Sequence, residues 1–220
     1  MLSSLFGKKS EGTVPQSKPK RTTDSIDCEM GERFIYAVSG RVSETSAQLS
    51  SIDDGKCVLN TEVANYRTLS EWFKAAAEDG GLARDFTPKN LTEVTILNSL
   101  MGHENNPNML FMQRGSDQIR FAPVMNCEHP PMLVSTADEV IAGSSAIVEQ
   151  NGSQNKVVEE SIKQVVDSEF NSGVSQRIFD RVSKLNNREI KEICQGSKQQ
   201  ACTSMISQMQ AFCRQALSSQ

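Results

Sequence analysis

The stretch Cys202-Thr203-Ser204-Met205-Ile206-Ser207-Gln208-Met209-Gln210-Ala211-Phe212-Cys213-Arg214-Gln215-Ala216 decides how this chain is read. Cys202, Met205, Ile206, Met209, Phe212, Cys213 and Ala216 fall at i, i+3, i+4, i+7, i+10, i+11 and i+14, which lays them along one stripe of a helix. Weaker stripes of the same period precede it. Thr136 with Glu139 forms a capping signal for Val140, Ile141, Ser144, Ile147 and Val148, closed by Asn151-Gly152. Val158, Ile162, Val165 and Val166 come next, broken by Asn171-Ser172-Gly173; Val174, Ile178, Val182 and Leu185 follow. Ile190, Ile193 and Cys194 mark a short helix ending at Gly196. The connections are a few residues long, so the helices fold back as antiparallel neighbours in a helical domain over residues 135–220. A hairpin around Asn151-Gly152 is the competing reading, because Ala146-Ile147-Val148 and Val157-Val158 also suit strands.

Upstream the period changes. Phe34, Tyr36 and Val38 alternate within 33–42 as in a half-buried strand, and a second strand over 48–52 turns at Asp53-Asp54-Gly55 into Lys56-Cys57-Val58-Leu59. Thr68-Leu69-Ser70-Glu71 is a capping box for a helix carrying Leu69, Trp72, Phe73 and Ala76, with Gly80-Gly81 as its stop. Thr87-Pro88 starts another helix with Leu91, Val94 and Met101, ended by Gly102. Residues 109–113 and 118–122 bracket Arg114-Gly115-Ser116-Asp117 as a hairpin, and Pro123 with Pro130-Pro131 ends the sheet at an edge. The expected fold class is α+β. It has a small antiparallel sheet with two helices in an N-terminal domain over 31–134, followed by a C-terminal helical bundle.

Charge divides the chain unequally. The net is -4 over 220 residues, but residues 1–21 carry +4 and the remainder -8. From Lys8 to Ser25 the chain is Gly, Ser, Thr, Pro and Lys with little to bury, so residues 1–30 are expected to be a disordered basic arm. Its tip sets Leu2, Leu5 and Phe6 ahead of Lys8 and Lys9, a pattern suited to docking in a partner's groove or to shallow contact with anionic lipid. Each basic residue near such a leaflet contributes only about 1 kcal/mol, so membrane contact would be weak. No aromatics interleave the basic residues to stack bases, and the acidic body repels phosphate, which excludes nucleic acid as the expected partner.

Signatures of catalysis are missing. The chain has no phosphate-cradling glycine loop, no H-E-x-x-H, no nucleophile elbow and no EF-hand loop. Without a C-x-x-C motif or secretory leader, the six cysteines read as reduced thiols of a cytoplasmic core, and no metal or cofactor is expected. Cys127, His129 and His103 are the residues a thiol enzyme or zinc protein would use, although His103 beyond Gly102 also suits a helix end.

Binding has better support. Between Ser197 and Gln220 the only charged residues are Lys198 and Arg214, whereas a helix face in bulk water usually carries Glu and Lys. The sequence therefore points to a non-enzymatic adaptor or chaperone-like subunit of a larger cytoplasmic assembly, in the style of secretion-machine accessories. Its partner contacts are expected at Met205, Ile206, Met209, Phe212 and Leu217, with arm contacts at Leu2, Leu5, Phe6, Lys8 and Lys9. Against this, the apolar stripe can simply be the bundle's own core. A matrix-type protein at the inner face of a membrane is the alternative, and a thiol or zinc protein the second.

Overall fold

The structure is a computed structural model and describes residues 21–40, 50–53, 56–59, 65–79, 82, 85, 87–121, 124–127, 136–152 and 155–219. The arm residues Leu2, Leu5, Phe6, Lys8 and Lys9, together with His129, lie outside the described residues. Strand β1 (Arg21–Asp24) leads into helix α1 (Ser25–Ser39), followed by β2 (Ser50–Asp53), β3 (Lys56–Leu59) and β4 (Tyr66–Thr68). Helices α2 (Leu69–Glu78) and α3 (Leu91–Leu100) precede the hairpin β5 (Leu110–Gln113) and β6 (Ile119–Phe121). Five helices complete the order: α4 (Ala137–Gly152), α5 (Lys156–Asn171), α6 (Val174–Ser183), α7 (Asn187–Ile193) and α8 (Gln199–Ser218). The fold is α+β with a C-terminal helical part.

The described residues form two antiparallel sheets of three strands, in the orders β1-β3-β2 and β4-β5-β6. Asp53 pairs with Lys56 across the first hairpin, as Asp-Asp-Gly requires, and Gly115 at φ +77° turns the second. The stretch over 33–42 is a correction: its described part, through Ser39, belongs to α1, not to a strand. Phe34 is buried while Tyr36 is 58% exposed, which an alternating face would not give. The core-facing set is Met30, Gly31, Phe34 and Ile35, at i, i+1, i+4 and i+5, and half of it lies upstream of the alternating segment. Residues 21–30, assigned to the arm from their composition, thus supply β1 and the first turns of α1, with Cys28 and Met30 buried.

Capping explains most of the helix starts. Thr68 Oγ1 accepts from Glu71 N at 3.1 Å while Glu71 Oε2 accepts from Thr68 N at 2.9 Å, and Thr136 with Glu139 repeats the exchange. The hairpin alternative at Asn151-Gly152 is overturned, because α4 runs through both residues. Asn155 serves two helices: its Oδ1 accepts from Val157 N at the start of α5, and its Nδ2 donates to Ala77 O at the end of α2.

Helix α3 starts three residues later than Thr87-Pro88 predicts. Lys89 bridges to Gln118 beside β6, and Asn90, at φ 59°, exchanges side-chain hydrogen bonds with the backbone of Ile119 at 3.0 and 3.3 Å. Asn90 makes no capping bond, so the orphan N–H of Thr92 is taken by Glu169 Oε2 of α5 at 2.8 Å. Nine of the ten residues of α3 are buried, four of them polar. Asn98 donates to Glu104 O and to Asn105 Oδ1, while Asn105 donates to Thr95 O and, at 2.8 Å, to Ser99 Oγ. Thr92 Oγ1 meets Ser144 Oγ of α4 at 3.2 Å. One continuous core surrounds this helix, running from Met30 and Trp72 through Leu97 and Met112 to Phe179 and Met209.

The cysteine expectation also needs correction. Cys194 and Cys202 are joined by a disulfide, their Cα atoms 5.4 Å apart, and Cys28 is disulfide-bonded as well. The turn at Gly196, φ +128°, folds the end of α7 onto the first turn of α8 and so brings together cysteines eight residues apart. Around this junction Arg33 of α1 donates to Ile193 O and Gln195 O at 3.0 and 2.9 Å, and Lys198 pairs with Asp27 at 2.8 Å. Arg181 of α6 in turn donates to Ala37 O near the end of α1. Cations at helix C-termini satisfy carbonyls that no intrahelical N–H reaches.

Replacing Cys194 and Cys202 together by alanine should lower the unfolding free energy by about 2–3 kcal/mol on loop-closure arguments, with a larger urea m-value as the denatured chain expands. An unchanged urea midpoint would show that the bond adds no stability. Gly143 of α4 is a second test, since a Cβ there would stand 3.0 Å from Asn105 Nδ2, which its two hydrogen bonds hold in place. On an open helix face Gly→Ala adds up to about 1 kcal/mol of stability. Gly143→Ala is expected to lower the thermal midpoint instead, and a rise would disprove the close approach.

Candidate interaction surface

The two faces of α8 are chemically unlike. Its inner stripe, Cys202, Met205, Ile206, Met209, Gln210, Cys213 and Ala216, is buried in the chain's own core. Met205 is 1% exposed, and Ile206 and Met209 are fully covered; Phe212 and Leu217 are partly buried against the same core. Phe212 stands edge-on to Phe179 of α6, their centroids 6.0 Å apart. The five apolar residues expected to meet a partner are therefore packed internally, largely on α6. The correction has a simple cause: burying this stripe against the preceding helices removes the same apolar area from water without a second molecule. Gln210, the polar member of the stripe, donates to Leu185 O at 2.8 Å and Val182 O at 3.3 Å, closing the end of α6.

The outer face is the surface left over. From Gln199 to Ser219 its exposed residues are Gln, Ser, Thr and Ala, with Arg214 the single charge. Lys198, the other cation of the segment, is engaged with Asp27. Several hydroxyls are turned back onto the helix: Thr203 donates to Gln199 O at 2.8 Å, Ser207 to Thr203 O at 2.9 Å and Ser218 to Gln215 O at 2.8 Å. Their donor hydrogens are already satisfied, so these hydroxyls lose little when covered. Gly196, Ser197, Gln199, Gln200, Thr203, Ser204 and Ser207 line a shallow open groove at the start of the helix.

Other helices present a different exterior. Helix α5 exposes Lys156, Glu160, Lys163 and Asp167, and α6 and α7 carry the exposed pairs Lys184–Asp180 and Arg188–Glu192. Glu189 is held below the usual carboxylate range by the hydrogen bond from Arg181 and then by the backbone N–H of Asn186, which fixes it as a structural group.

Of the residues expected for thiol or zinc chemistry, the structure describes His103 and Cys127. His103 donates from Nε2 to Val124 O, while its backbone N–H closes α3 onto Asn98 O beyond Gly102, φ +94°. The sequence suggested that the His103 side chain serves the helix end; its backbone N–H does so instead, and the ring bonds to Val124 O. Cys127 is half-buried against the core. Among the described residues no three His, Cys, Asp or Glu side chains converge as metal ligands. No helix among them is long and apolar enough to cross a membrane. The neutrality of the α8 exterior was legible in the sequence; which side of the helix faces outward was not.

Burial pushes the Cys213 thiol up to about 12, with Arg214 only partly opposing the shift. A thiol with that pKa holds almost no thiolate at neutral pH. Cys213 should therefore escape iodoacetamide at pH 8 in the native protein and react fully in urea, as read by peptide mass mapping; rapid native labelling would contradict its burial. Comparison with protein-family models, with curated proteins and with solved structures finds no match to this chain.

Proposed function

We propose that the protein is a non-enzymatic subunit of a larger protein assembly and meets its partner through the outer face of α8. One observation carries this reading: 20 residues of helix expose a single charge, on a molecule whose neighbouring helices α5, α6 and α7 expose several charged side chains between them. An unpartnered face gains solubility from charge, whereas an interface core is depleted of it. Satisfied hydroxyls, small side chains and adaptable glutamines suit a flat, neutral protein surface. The basic arm, with Leu2, Leu5, Phe6, Lys8 and Lys9, is a second contact element in this proposal.

The setting read from the sequence is the cytoplasm. There the Cys194–Cys202 bond would have to survive a reducing thiol pool. Both sulfurs are fully buried, and exchange requires access to a sulfur, so the bond would be protected kinetically.

The test is native affinity purification of tagged full-length protein with Ser207→Glu or Ala211→Glu, beside Lys163→Glu on α5 as a control. Either α8 substitution should leave circular dichroism and the thermal midpoint unchanged and weaken recovery of the stoichiometric partner at least tenfold, equivalent to about 1.4 kcal/mol. The α5 control should bind as wild type. Equal recovery by all variants would reject the α8 face as the contact surface.

A further inference from the structure

Strand pairing brings two arginines together at the β4 edge of the second sheet. Arg67 lies opposite Met112, and the carbonyl of Asn65 accepts from the backbone N–H of Arg114 at 2.7 Å. Arg67 and Arg114 are therefore diagonal neighbours on one face, with Cα atoms on the order of 7–8 Å apart, within easy reach for two long side chains. Arg120 is opposite Phe111, which puts it on the other face.

Neither guanidinium of the pair has an ion-pair or hydrogen-bond partner among the described residues, and Arg67 Nε is buried without one. Their field is opposed by Glu71, whose Oε2 is already committed to the capping box with Thr68 N at 2.9 Å. Arg67 has its pKa lowered, first by burial and then by Arg114, with Glu71 offsetting only part of this. Arg33 and Arg181, by contrast, each bond to backbone carbonyls and to a glutamate, while Arg120, on the other face of the sheet and without a second arginine beside it, shares with Arg67 a buried Nε that has no partner among the described residues. At the β4 edge two like charges stand side by side, with no partner for either guanidinium among the described residues.

We propose that Arg67 and Arg114 form a binding site for an oxyanion of the phosphate class. Two guanidinium forks carry a charge of about +2 and offer more parallel N–H donors than one carboxylate can accept. A phosphate monoester carries about -1.5 to -2 and three strong acceptor oxygens, which matches both charge and donor count. A monocarboxylate would neutralise only one arginine. The site is separate from α8, so the two proposals stand or fall independently.

The experiment titrates full-length protein, with 15N-labelled arginine, against inorganic phosphate, phosphoserine and acetate at an ionic strength held constant with chloride. The Nε–Hε resonances of Arg67 and Arg114 are followed. Phosphate and phosphoserine should shift both resonances saturably, with Kd at or below roughly the millimolar range, and acetate should bind at least tenfold more weakly. Tighter binding of phosphoserine assigns a phosphate carried on a peptide; equal binding assigns the free anion. Arg114→Ala, at an exposed position, should keep its thermal midpoint in chloride and lose at least tenfold in phosphate affinity. Arg67→Lys, which keeps the charge but not the fork, should lose as much. Linear, unsaturable shifts, parity between acetate and phosphate, or wild-type affinity in Arg114→Ala would each overturn the site.

Discussion

Helix α3 can lie inside the molecule only because each of its buried polar side chains finds a partner. Thr92, Thr95, Asn98 and Ser99 are at most 9% exposed, and an unsatisfied donor or acceptor at any of them would cost about 1–3 kcal/mol. The partners come from separate parts of the chain: Ser144 from α4 and Asn105 from the loop after α3 meet side chains, while Glu169 from α5 takes the backbone N–H at the helix start. A helix buried on one stripe needs only apolar neighbours. One buried on nearly every side also needs a polar seam, and that seam fixes where α4 and α5 are placed.

The same rule governs the helix ends. Arg33, Arg181, Asn155 and Gln210 each leave their own helix or its cap to satisfy carbonyls of another, and the Cys194–Cys202 bond secures the tightest of these junctions. Trp72, its ring fully buried and Nε1 without a partner, is one of three exceptions among the described residues, beside Arg67 Nε and Arg120 Nε. Burying an indole removes about 200 Å² from water, which at about 25 cal/mol per Å² exceeds the cost of one orphaned N–H. The ring therefore stays inside.

Function follows from what this packing leaves over. Once the stripe of α8 is consumed by the core, its exposed residues include no large apolar side chain and a single charge, Arg214, and that near-neutrality motivates the assembly reading. The Arg67–Arg114 pair is the opposite case, a concentration of charge for which the described residues offer no ion-pair partner. Both surfaces are recognised by departing from how the rest of the same molecule treats its exterior.

Local signals were readable from the sequence because they act within a few residues: the Thr68–Glu71 and Thr136–Glu139 boxes, the hairpin at Gly115 and the stripes of α4 to α8. Helix α1 was misread because its core-facing residues begin before the alternating Phe34, Tyr36 and Val38, so a short window saw the wrong period. Strands β1 and β4, four and three residues long, carry too little pattern to announce themselves. The pairing of Cys194 with Cys202, the all-round burial of α3 and the juxtaposition of Arg67 with Arg114 were decided only by tertiary structure. Each depends on segments distant in sequence, or on a turn whose direction is set by what it packs against. The chain alone determined that its C-terminal part is helical and which of those helices is nearly without charge; the packed molecule determined which face of that helix meets water, because one apolar stripe can be buried only once.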